Sequence, residues 1–118
     1  MNDRTLLELA ARAAGYQFSY SYRSLSSPAV PVILAETGRW RQWGPLTDDG
    51  DALRLAVKLG LTVDIDLDES WTEIDYTADY QDKEIREGHG GGTDPYGATR
   101  LAIVRAAAEI GKSMGGGE

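Results

Sequence analysis

Two arginines and two tryptophans lie close together at residues 39–43, where the sequence reads RWRQW. Alternation in an extended segment places Arg39, Arg41 and Trp43 on one face. Guanidinium groups bind phosphate through paired hydrogen bonds, and aromatic rings attract cations and stack on bases. These residues are therefore candidates for binding a small anionic nucleotide. The alternative is that Trp43 is buried beneath the following helix and that the arginines pair with some of the chain's many carboxylates.

Two further arginines, Arg100 and Arg105, lie in the last apolar segment of the chain. Arg105 is surrounded by alanines, and an isolated buried charge is costly, so it must pair with a carboxylate or reach an anionic ligand. Tyr96, near the start of the same segment, completes the predicted ligand-binding set. That set is Arg39, Arg41, Trp43, Tyr96, Arg100 and Arg105.

The other motifs that suggest chemistry are incomplete. The string GHGGG around His89 is similar to the oxyanion loop of lipases and esterases, but the sequence lacks the G-x-S-x-G motif of their nucleophile. The acidic run that starts at Asp64 has Glu69 where a calcium loop needs glycine, and one histidine without cysteine does not define a zinc site. We therefore expect no catalytic residue, no metal and no cofactor, and a protein that is not an enzyme.

Composition restricts the classes of partner. The 118 residues carry 12 lysines and arginines against 19 aspartates and glutamates, a formal net charge of −7. We expect no binding to duplex nucleic acid, because neutralising phosphates requires a basic surface. The absence of cysteine fits a reducing compartment, and from the spacing of the apolar residues we expect neither a signal peptide nor a membrane span. A cytoplasmic protein with a single core is the expectation.

The helices that must position these side chains follow from the apolar spacing. Three helices are predicted, and their predicted caps and stops are Gly15, Asp48 (with Thr47 as the alternative cap), Gly60, Asp94 and Gly111. In the middle helix, Leu53 and Val57 are predicted to widen the buried stripe. The last helix is apolar on nearly all sides, which predicts packing on more than one side or across a subunit contact.

The strands follow from alternation. Residues 16–22 are predicted to form a strand with an aromatic core face, and residues 61–80 a hairpin. The first strand of that hairpin is predicted to bury Leu61, Val63, Ile65 and Leu67. Pro31 favours an edge strand or an extended loop over residues 30–34. The polar, glycine-rich residues 81–93 predict a mobile loop.

A resemblance covers roughly two-thirds of the chain, from Trp43 onward. It rests on WGPLTDDGDALRLAVKLG, then a hairpin, then DPYGATRLAIVRAAA. This arrangement resembles the phage ABA sandwich domain and related small proteins of tailed phages and prophages. The resemblance implies an α+β fold in which an antiparallel sheet is sandwiched by helices. We predict a single domain over residues 1–111 and a flexible tail over residues 112–118.

Two functions remain open from the sequence. The first, which depends on the phage resemblance, is a counter-defence protein that sequesters a nucleotide immune signal in the infected bacterial cell, as anti-Thoeris and anti-CBASS sponges do. Such a protein would be a homo-oligomer with arginines and aromatic rings in its ligand site. The second is an acidic inhibitor that binds a host defence protein such as a CRISPR effector, with its surface mimicking nucleic acid.

Overall fold

The computed structural model of the chain describes residues 2–22, 28–90 and 94–115. Within these ranges, the helices are α1 (Asp3–Ala14), α2 (Asp49–Leu59) and α3 (Pro95–Met114). The strands are β1 (Phe18–Ser21), β2 (Val30–Leu34), β3 (Trp40–Gln42), β4 (Thr62–Asp66), β5 (Trp71–Ala78) and β6 (Gln81–Gly88). The predicted α+β class is confirmed. None of the described helices combines the length and the hydrophobicity needed to span a bilayer.

The strands form two small antiparallel sheets instead of one. Sheet I has the order β1-β2-β3, and sheet II has the order β4-β5-β6. Helix α3 packs against α1, against α2 and against the strands of sheet II. Its buried residues are Ala102, Ile103, Val104, Ala106, Ala107, Ala108 and Gly111. The prediction that the last helix is packed on more than one side is thus confirmed.

Local sequence signals set most of the helix ends. The side chains of Asn2, Asp48 and Asp94 cap the three helices by accepting a hydrogen bond from a backbone N–H of the first turn. Gly60 ends α2 in the left-handed conformation, as predicted. The predicted stop at Gly111 is wrong, because α3 continues to Met114 and Gly111 instead allows the backbone of α1 to approach closely. Of the predicted tail, residues 116–118 lie outside the described ranges.

Strand β2 is the centre of sheet I, which contradicts the prediction of an edge strand or loop. The proline is tolerated because of its position along the strand. The carbonyl oxygen of Pro31 accepts a hydrogen bond from the N–H of Trp43, one residue beyond the end of β3. The missing N–H of Pro31 therefore falls where the ladder to β3 has ended, and no internal ladder bond is lost.

Strand β6 replaces most of the loop predicted over residues 81–93. Asp79 and Tyr80 both have positive φ values, of 54° and 61°, and form the two-residue turn of the β5–β6 hairpin. Ile85 is the one apolar side chain of β6, and most of the strand is exposed. The sequence pattern did not predict this strand, because its exposed side chains outnumber its apolar ones. The last residues of the predicted loop, 91–93, lie outside the described ranges.

Candidate functional site

An apolar groove of about 510 Å³ lies between α2 and β4, with the first half of α3 as its floor. We refer to it as the apolar groove. Its apolar lining includes Leu53, Val63, Ile65, Leu67, Tyr96 and Ile103. A cleft of about 580 Å³ beside the β5–β6 hairpin is lined instead by charged residues, among them Asp75, Lys83 and Glu84. The apolar groove therefore differs from it in chemistry more than in size.

The walls of the groove correct two predictions about the core. Leu53 is 62% exposed and Leu67 is 69% exposed, and Val63 and Ile65 are also exposed, as is Val57 outside the groove lining. The sequence predicted that all of these residues are buried. They remain exposed because α3 already packs against α1, α2 and sheet II, and no described element lies over the gap between α2 and β4.

The apolar residues of the groove wall were not predicted to be functional, although one signal for them was present in the sequence. Period-two spacing shows that Val63, Ile65 and Leu67 share a face, but it does not show whether another element covers that face. Leu67 lies in the β4–β5 turn, where polar residues are usual. An apolar side chain in a turn is the signal that this face extends beyond the strand into solvent.

Arg100 lies at the rim of the groove, but its charge is already engaged. Its Nη1 lies 2.6 Å from Oδ1 of Asp49, and its Nε donates to the carbonyl oxygen of Leu46 at 3.0 Å. The Arg100 side chain is only 19% exposed. These contacts fix the start of α2 against α3, and an anionic ligand would have to compete with Asp49 for the guanidinium group.

Arg41 contributes to a buried carboxylate site at the start of α2. The side chain of Asp51 accepts hydrogen bonds from the backbone N–H of Gly44 at 2.9 Å, from Arg54 at 2.8 Å and from Arg41 at 3.2 Å. Burial acts to raise the pKa of Asp51, but the hydrogen bonds from Gly44, Arg54 and Arg41 outweigh it, so the pKa is lowered. Arg41 therefore joins β3 to α2 through this carboxylate.

Trp43 belongs to the core. It is 1% exposed, and its ring meets the rings of Tyr16 and Phe18 edge to face at centroid distances of 5.7 and 5.9 Å. This placement matches the burial of Trp43 that the sequence left open as an alternative, in a core that also contains Ala52 and Leu55 of the following helix. Of the aromatic face predicted for residues 16–22, Tyr16 and Phe18 pack against the core, whereas Tyr22 is exposed, contrary to the prediction.

The remaining members of the predicted set lie apart from one another. Arg105 forms an ion pair with Glu87 of β6, which is one of the two alternatives predicted for it. Arg39 is exposed, and no described group pairs with it. Tyr96 is exposed at the rim of the apolar groove. Of the six predicted residues, the groove brings together Tyr96 and Arg100.

His89 is part of a buried polar chain beneath the groove. Its Nε2 lies 2.9 Å from Oγ1 of Thr72, which in turn lies 2.8 Å from Oγ1 of Thr99 on α3. A hydroxyl beside an imidazole is the pairing that activates a nucleophile. Thr72, however, is fully buried and gives a substrate no access. The chain of three side chains fixes the β5–β6 hairpin to α3.

The outer face of sheet II, which points away from α3, is acidic. It carries Asp64 and Asp66 of β4, Glu73 and Asp75 of β5, and Asp82 and Glu84 of β6. Arg86 is the one cation on this face among the described strand residues; it lies 2.7 Å from Glu73 and stacks over Trp71. The hydrogen bond from Arg86 lowers the pKa of Glu73.

Within this face, the carboxylate oxygens of Glu73, Asp75 and Glu84 lie within 4.8 Å of one another, close enough to share a cation. The pKa of Asp75 is raised, by desolvation first, then by the hydrogen bond it shares with Glu73 and by the charges of Glu73, Asp64 and Asp82. Carboxylates at this separation relieve their repulsion by sharing a proton or by attracting positive charge. The acidic face therefore favours the binding of cationic groups.

Comparisons with known proteins add no relative. The chain is similar to no protein-family model, no curated protein and no solved structure with which it was compared. The resemblance to the phage ABA sandwich domain thus stays a prediction from the sequence.

Proposed function

We propose that this protein is a non-enzymatic binding protein whose apolar groove receives a segment of a partner protein that carries both apolar and basic side chains. The observation that carries the proposal is the exposure of the groove wall, where Leu53, Leu67 and Tyr96 are each more than 60% exposed. Contiguous apolar surface of this kind is characteristic of interaction sites. Burying such side chains supplies most of the free energy in peptide-in-groove recognition.

Charge indicates the polar part of the partner. The chain has a formal net charge of −7, and acidic residues adjoin the groove lining: Asp66 and Asp68 flank Leu67, and Asp94 precedes Pro95. Asp49 also lies in the lining and is paired with Arg100. A partner segment with lysines or arginines around its apolar residues complements this rim, and complementary charge raises the rate of encounter.

The sequence resemblance to tailed-phage proteins suggests the kind of partner. In a tailed phage or prophage, the partner of such a protein would be a host defence factor, and the basic segment would be one that normally contacts nucleic acid. The acidic surface would then occupy a nucleic-acid-binding segment of that factor. Location in the cytoplasm of the infected cell is part of the same proposal.

The proposal predicts which peptides the intact protein selects. From a display library of random peptides of about twelve residues, we expect enrichment of sequences that combine apolar residues with lysine or arginine. The double variant Leu53→Gln/Leu67→Gln should bind the enriched peptides at least about tenfold more weakly, a loss of about 1.4 kcal/mol. Isothermal titration calorimetry at several salt concentrations measures this loss, and added salt should weaken binding further.

Two controls show whether a loss of peptide binding comes from the groove itself. Met114→Gln removes a comparably exposed apolar side chain at the far end of α3, outside the groove, and should leave the affinity unchanged. Circular dichroism and thermal melts should show that both groove substitutions leave the fold intact, because the replaced side chains are exposed. The proposal fails if no basic and apolar peptides are enriched, or if the double variant binds them as tightly as the native protein.

Nucleotide sequestration is a second candidate, favoured by one specific observation. Tyr96 and Arg100 lie at the same groove, which places an aromatic ring and a guanidinium group within one cavity. A nucleotide would stack on the ring and displace Asp49 from the guanidinium group. A subunit interface like that of the sponges would have to supply further cations, which is consistent with the predicted homo-oligomer.

Thermal melts distinguish this second candidate from the first. Cyclic dinucleotides, cyclic trinucleotides and cyclic ADP-ribose isomers are the probes, and the recovered ligand is checked by chromatography. For a sponge, a ligand at a hundredfold excess over its Kd should add about 2.7 kcal/mol, a shift of several degrees, and should be recovered intact. Tyr96→Ala and Arg100→Ala should abolish the shift. If none of the nucleotides raises the melting temperature, this candidate is excluded.

A further inference from the structure

Strand β4 has one free edge. It pairs with β5 on one side, and among the described residues nothing pairs with it on the other. In an antiparallel pair, every second residue of an outer strand directs its N–H and C=O away from the partner. Such an edge is a template for a further strand. Here the edge borders the apolar groove, since Val63 and Ile65 of β4 line it.

The two faces of β4 differ sharply in chemistry. Val63 and Ile65 lie opposite Ile74 and Thr72 of β5, on the face that is directed towards α3. Asp64 and Asp66 lie on the outer face. A strand added beside β4 would continue both faces, so its side chains would alternate between the apolar groove and the acidic surface.

The outer face lacks positive charge where the added strand would lie. Asp64 is directly opposite Glu73, and like charges in this position are destabilising. The described cation of this face, Arg86, lies two strands away from the free edge of β4 and is paired with Glu73. Lysine or arginine beside Asp64 and Asp66 would therefore replace repulsion with attraction.

We propose that the partner segment binds as a fourth strand of sheet II, in an extended conformation in which apolar residues alternate with lysine or arginine. This inference rests on the proposed function and names its mode of recognition. The apolar side chains enter the groove between β4 and Leu53 of α2, and the basic side chains lie beside Asp64 and Asp66. The main chain completes the hydrogen bonds at the free edge.

Two other occupants fit less well. A helix in the groove would leave the edge of β4 unpaired, and a helix seated on the inner side would not carry basic residues along the outer face of the sheet. A second copy of the chain pairing through its own β4 would bring Asp64 and Asp66 of both copies together. Each copy also carries a net charge of −7, so such pairing adds like charge to like charge.

The test uses two capped peptides of about nine residues, near the upper end of common strand lengths. One alternates valine and lysine, and the other contains the same residues reordered to helical spacing. We expect the alternating peptide to bind the intact protein at least about tenfold more tightly than its permutation. Leu53→Gln/Leu67→Gln should abolish the difference. Asp64→Asn should weaken binding by about two- to fivefold, whereas Glu36→Gln, which removes the same charge from the β2–β3 turn, should not.

Hydrogen exchange then reports the main-chain contact directly. With the alternating peptide bound, those β4 amides that are directed outward and exchange quickly in the free protein should slow by at least about tenfold. Equal binding of the two peptides, or binding without protection of β4, overturns strand addition and leaves the proposed function standing. If neither peptide binds, strand addition is overturned; if, in addition, the display library yields no groove-dependent peptide, the proposed function falls as well.

Discussion

Gly111→Ala is expected to lower the free energy of unfolding by about 3 kcal/mol, and the melting temperature by about 10 °C or more. A Cβ atom at this position would overlap the carbonyl oxygen of Leu9 and lie 2.8 Å from its carbonyl carbon. Both neighbours belong to the backbone of α1, which cannot move aside as the end of a side chain can. The helices α1 and α3 would have to separate, and the alanine-rich contact between them would loosen.

Urea unfolding of the purified variant measures this effect, and Gly50→Ala is the matched control. Gly50 also lies in a helix, but its added Cβ would meet only the ends of the Arg54 and Asp48 side chains, at 3.1 and 3.2 Å. That variant should keep its stability within about 0.5 kcal/mol. Equal stability of Gly111→Ala and the native protein would show that α1 does not approach α3 at this glycine.

Asp51→Asn is expected to lower the free energy of unfolding by about 2–3 kcal/mol at neutral pH. Asp51 is 6% exposed in the native protein, and its carboxylate accepts hydrogen bonds from Gly44, Arg54 and Arg41. An asparagine would lose the charge that attracts both guanidinium groups and would set its NH₂ group against donors. Asp3→Asn is the control, because it also removes an aspartate from the first turn of a helix, here α1, but one that is exposed and to which no described cation is paired.

The Asp51 carboxylate should also make the free energy of unfolding depend on pH. The pKa of Asp51 is lowered in the folded state, so its stabilising contribution is present above the ordinary aspartate value of about 3.9. The contribution is lost as the pH falls through the lowered folded value. Urea unfolding at a series of pH values should therefore show the difference between native protein and Asp51→Asn shrinking under acid conditions. A difference that stays constant down to the lowest pH would contradict this role.

The sequence predicted best the features that depend on neighbouring residues. Asp48, Gly60 and Asp94 act within one or two turns of the helix that they delimit, so their roles were readable from spacing. Gly111 was predicted as a stop because glycine commonly ends helices. Its actual role depends on Leu9, which is distant in sequence and adjacent only after folding.

The candidate site could not be predicted from the sequence, because it depends on contacts between residues that are far apart in the chain. Arginine residues were recognised as candidates, but the partner of Arg100 is a carboxylate 51 positions away and the partner of Arg105 lies on a strand that was not predicted. Alternation in β4 gave the correct face for Val63 and Ile65 without showing that the face is open. Coverage of a face is a property of the whole packing arrangement, and so the groove emerged only from the structure.

The central claim is that the apolar groove is where this protein meets its partner. Its most direct test is to titrate a display-selected basic and apolar peptide into isotope-labelled protein and to follow the backbone amide shifts. The account predicts that the largest shifts fall on the first half of α2, on β4 and on the first half of α3. Saturable binding that instead shifts the amides around Arg39 and Trp40 of sheet I, and leaves β4 unchanged, would contradict it.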